Sequence, residues 1–115
     1  MREAVRQFAE SGMEAALREH DEKKGEAGWR DADPRVLFTL LEREVAELKA
    51  ALWAAQQAQL YGPVGTDLGP TRRAVQKECA DVANFAMFLY DLVEQGQSKV
   101  IALILTSSKK RKYFY

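Results

Sequence analysis

Four acids in two short stretches pose the first question. In LEREVAEL, residues 41–48, Glu44 and Glu47 stand among leucine, valine and alanine, and in ECADVANF, residues 78–85, Glu78 and Asp81 stand among alanine, valine and phenylalanine. Acids three apart on a helix lie on one face, about one turn from each other. At about 100° per residue, Glu44 falls near the centre of a stripe made by Leu37, Leu40, Leu41, Leu48, Ala51 and Ala55, with Glu47 to one side. Asp81 likewise falls in the middle of a second stripe, Ala74, Val82, Phe85, Phe88, Leu89 and Leu92, with Glu78 to one side. An ionised carboxylate in apolar surroundings needs a partner. If the two stripes pack together, four like charges meet and cannot all ionise without compensation.

Divalent cations supply that compensation. Neither pair contains His or Cys, and all-oxygen ligation favours hard Mg²⁺, or Mn²⁺, over zinc or copper. Magnesium keeps several waters and is commonly completed by substrate phosphates, so the acids imply a phosphate-bearing ligand and the attack of an activated water on phosphorus. Two blander readings compete: ordinary solvated helix charges, and a catalytically idle interaction module whose acids hold a structural ion.

Three helices must position these acids. Residues 2–22 carry Val5, Phe8, Ala9, Met13, Ala16 and Leu17 at helical spacing, and His20 falls on the same apolar side. Asp33 followed by Pro34 predicts an N-cap with proline in the first turn of a helix that runs to about Leu60. YGPVGTDLGP is a loop, and a third helix runs from near Thr71 to about Val93, with Gly96 as its stop. The fold expected is all-α: a bundle of three main helices plus a short C-terminal segment, its four-helix core completed by oligomerisation. Residues 1–96 form the helical domain and 97–115 a C-terminal segment.

The 115 residues suit one domain, and 17 Lys plus Arg against 17 Asp plus Glu leave no net charge to draw nucleic acid or an anionic membrane. Cys79 is the only cysteine, which excludes an intrachain disulfide framework and points to a reducing cytoplasm. The N-terminus lacks the apolar run of a secretory signal, and no span reaches the roughly 20 apolar residues of a membrane helix. KKRK near the C-terminus is the sole basic run suggesting nucleic-acid binding, and it has no supporting patch.

With both acid pairs in place, the chain from about residue 8 to 94 resembles the MazG-like all-α nucleotide pyrophosphohydrolases, which include dimeric dUTPases and dCTP pyrophosphatases. ECADVANFAMFLYD looks especially like the small single-domain phage and bacterial members. The resemblance implies cleavage of a nucleoside triphosphate between its α and β phosphates, giving monophosphate and pyrophosphate. It also implies Glu44, Glu47, Glu78 and Asp81 as Mg²⁺ ligands, and a homodimer or homotetramer. Arg43 stands where the family often has a further Glu, which bears on the number of ions bound.

In HDEKKGEAGW, His20 and Trp29 have a spacing that resembles the dCTP pyrophosphatases, where such residues contact the nucleotide. Trp29 could stack on a base, and Lys23 or Lys24 could reach phosphates. Asn84 and Phe85, one turn beyond Asp81, are further pocket candidates, and Arg72, Arg73 and Lys77 are candidate phosphate contacts. Each has a plain alternative: His20 as a partly buried histidine, Trp29 as a plug between helices, Phe85 as core, and the basic residues as solvated charges. Trp53 reads as packing and Cys79 as structural. Glu47 is the carboxylate assigned as general base.

Overall fold

The computed structural model describes residues 1–24 and 28–95, and within these it is all-α, with no strand. The Lys23 and Lys24 side chains, the Gly96 stop and the segment 97–115 lie outside the described residues.

The first helix, α1, runs Glu3–Gln7, widens into π-helical turns over Phe8–Glu14 and resumes as Ala15–Lys24. Gly12 sits in the widened part, where a Cβ would meet the Phe8 ring at 3.2 Å and the Ala80 methyl at 3.7 Å. The missing side chain relieves crowding against the Phe8 ring, while Ala80 of the third helix, which is buried, lies at ordinary contact distance. A single 3₁₀ turn, Trp29–Asp31, follows.

The second helix, α2, spans Pro34–Tyr61. Asp33 starts it as expected: its Oδ1 accepts from the Arg35 amide at 2.9 Å while Pro34 occupies a first-turn position whose missing N–H costs nothing. A loop with Gly65 at φ +84°, a left-handed conformation that favours glycine, leads to the third helix, α3, Gly69–Glu94. Asp67 supports that start by accepting from the Gly69 amide at 2.9 Å. Boundaries therefore fall within two residues of those read from the sequence.

The long pair α2 and α3 pack along each other, with α1 laid across α3. The core is small. Among the described residues Leu37 and Leu92 are its buried large side chains, flanked by Ala32, Phe85, Phe88 and Leu89. Burying each leucine is worth about 2 kcal/mol. The α2 stripe agrees with the sequence reading, since Leu37 is buried and Leu40, Leu41, Leu48, Ala51 and Ala55 are partly buried. On α3 one member departs: Ala74 is exposed, and Val75 takes the inward position instead. Trp53 is 64% exposed on α2 among the described residues.

Candidate functional site

The acids come from facing turns of α2 and α3. One carboxylate oxygen each from Glu44, Glu47 and Glu78 lies within 4.8 Å of the others. Glu44 and Glu78 are partly buried and Glu47 is exposed, so the cluster has two sheltered members and one open to water. Oε2 of Glu44 and Oε2 of Glu78 are buried and accept no hydrogen bond among the described residues. Burial pushes the Glu44 carboxyl up to about 7, and Glu47 within hydrogen-bonding reach and the charges of Asp81 and Glu78 push the same way. The Glu78 carboxyl is also raised, chiefly by burial, with Asp81 and Glu47 adding and Lys77 opposing.

Asp81 is near but is not gathered into this triad. Its Oδ2 accepts from Lys77 Nζ at 3.1 Å, one turn back on α3. The structure thus brings three of the four acids together and ties the fourth to a lysine.

These groups fit a hard cation. Two orphaned buried oxygens, a third acid alongside and an all-oxygen donor set are what such an ion requires. Glu44 and Asp81 also form the acidic edge of a cavity of about 450 Å³, whose other walls include Trp29, Phe85, Phe88, Leu37 and His20. That size is within the range of small-molecule sites.

The aromatic wall is built by packing. Trp29 stacks on Phe88 with ring centroids 4.5 Å apart and an interplanar angle of 18°, and Phe85 meets Phe88 edge-on at 5.4 Å. The indole Nε1 donates to Asp91 Oδ2 at 3.0 Å. Trp29 therefore both plugs the helix junction and lines the cavity. His20 lines the cavity together with Ala16 and Leu17, the side of α1 on which its spacing puts it, but its side chain is half exposed, with Nδ1 3.8 Å from Asp21 Oδ1. Asn84 is buried at 4% exposure, donates from Nδ2 to the Met13 carbonyl at 3.1 Å and keeps an unpartnered Oδ1.

Two contributors escape the sequence reading. Arg43 lines the cavity beside Glu44, although the helical wheel turns it from the stripe's centre. Asp91, the anchor of Trp29, continues the face of Phe88 three residues on, and following that face one more turn would have found it. Comparison of the chain with models of known families, with curated proteins and with solved structures gives no match in any of the three.

Proposed function

We propose that the protein is a nucleotide pyrophosphohydrolase of the MazG-like all-α type, dependent on Mg²⁺ or Mn²⁺, that cleaves a (deoxy)nucleoside triphosphate into monophosphate and pyrophosphate. The observation that carries this reading is the junction of two unlike surfaces: the acid cluster reaches, through Glu44 with its unmet buried oxygen, a cavity that is also lined by Trp29, Phe85 and Phe88. A triphosphate with a base has the same two-ended chemistry.

In this reading Glu44, Glu47 and Glu78 hold the cation, with Asp81 as the fourth ligand. The ion would supply charge neutralisation for the polyphosphate and Lewis-acid polarisation at phosphorus. Glu47, the acid open to water, takes the proton of the attacking water on its carboxylate. Trp29, Phe85 and Phe88 shelter the base, and Asn84 and His20 flank it with polar atoms. An oligomer, dimer or tetramer, is supported by Phe38, Val45 and Leu52, exposed apolar residues seven apart on α2, with Trp53 beside them.

The test is pyrophosphate release from a panel of NTPs and dNTPs with Mg²⁺, Mn²⁺ or EDTA, comparing wild type with Glu47→Gln. Cation-dependent release that Glu47→Gln lowers by about a hundredfold or more is the expected result. No release from any nucleotide by a folded protein that binds Mn²⁺ would replace the enzyme with an idle module holding a structural ion.

A further inference from the structure

Asp81 is the acid that the triad leaves out, and Lys77 is what holds it. The Asp81 side chain is 23% exposed and anchored against the helix pair, whereas the Lys77 side chain is 61% exposed and long enough to swing. A lysine placed N-terminal to its acid is the less favourable order for an isolated helix pair, so helix electrostatics alone gives little reason for the contact. The acids give a better one. The Lys77 ammonium lies 3.1 Å from Asp81 Oδ2, next to the cluster of Glu44, Glu47 and Glu78. Lys77 also lines a separate cavity of about 370 Å³ together with Arg73, Gln76, Glu19 and Ser11, so there is open space beside it into which the ammonium can turn.

We propose that Lys77 is an exchangeable counter-cation: it neutralises Asp81 while the divalent site is empty, and on release of Asp81 to the cation it turns to the phosphates of the nucleotide. This inference rests on reading the acid pairs as a cation site. Its consequence is a pair of opposite effects. Lys77 competes with the ion for Asp81, yet assists the polyphosphate that follows.

The test uses the full chain and two probes. Mn²⁺ binding without nucleotide is followed by the paramagnetic resonance signal of the free ion, and an α,β-methylene nucleoside triphosphate is then titrated at saturating Mn²⁺. Lys77→Gln is expected to bind Mn²⁺ roughly threefold tighter and the analogue roughly fivefold more weakly, while Lys77→Arg stays near wild type. In an Asp81→Asn background the Mn²⁺ gain from Lys77→Gln disappears, because the lysine acts through that carboxylate. Unchanged Mn²⁺ affinity in Lys77→Gln, a gain that persists in the Asp81→Asn background, or unchanged analogue binding overturns the inference. If Glu44→Gln with Glu78→Gln still abolishes Mn²⁺ binding in that case, the cation site stands and only Lys77's role falls. No Mn²⁺ binding by wild type removes both.

Discussion

The two ends of the α2–α3 seam are built on opposite terms. At the aromatic end, Leu37, Leu92, Phe85 and Phe88 close on one another, and the one polar atom of Trp29 has its acceptor in Asp91. At the acidic end, three carboxylates crowd together and two of their buried oxygens have no partner among the described residues. The first end stabilises the fold. The second works against it, and that cost is what the proposed cation would offset.

Substitutions at the two ends should therefore move stability in opposite directions. The largest effect belongs to the packed end. Leu92→Ala, at a side chain only 1% exposed, should cost about 3 kcal/mol and be read as a fall in denaturation midpoint with unchanged slope. A loss under about 1 kcal/mol would mean that the junction is looser than its geometry.

The acidic end is sharpened by pH. The folded Glu44 carboxyl sits at about 7 against an ordinary 4.5, so between these values the folded chain binds more protons than the unfolded one. Unfolding free energy then falls as pH rises: the contribution is full below the unfolded value and is lost as pH passes the folded one. Allowing for solvent screening at this partly exposed site, the loss is on the order of 2 kcal/mol, seen without divalent ions as a melting temperature lower by about 8 °C at high pH than at low. A flat profile would break the contrast. Glu44→Gln should flatten most of that slope and stabilise the cation-free protein by about 1.5 kcal/mol above neutral pH, measured by the same melts.

The smallest change returns to the aromatic end. Trp29→Phe keeps a ring against Phe88 and removes the Nε1 donor to Asp91, and should cost about 1 kcal/mol in denaturant unfolding.

The same contrast explains what is legible in the sequence. Periodicity finds the inward face of α2 almost residue for residue, because one long helix with a continuous stripe has a single way to pack. The Asp33–Pro34 start is readable for a local reason, since cap chemistry depends only on neighbours. The acid pairs are legible as two-toothed faces, but Asp81's attachment to Lys77 is not, because helical spacing permits that contact without deciding whether a side chain prefers it to the triad. The face shared by Ala16, Leu17 and His20 is legible because α1 is a regular α-helix from Ala15 onward, but spacing does not reveal that His20 is left half exposed there. Trp53 is expected to pack, but among the described residues it is 64% exposed, and the apolar Phe38, Val45 and Leu52 of α2 are about half exposed.

The central claim is that the acidic end is unfinished without a cation. The direct measurement is the melting temperature above neutral pH, with and without millimolar Mn²⁺, for wild type and for the Glu44→Gln, Glu78→Gln double variant. Mn²⁺ is predicted to raise the wild-type midpoint by several degrees, as binding to the folded state must, and to leave the double variant unmoved. A wild type indifferent to Mn²⁺, or a double variant that responds equally, would contradict it.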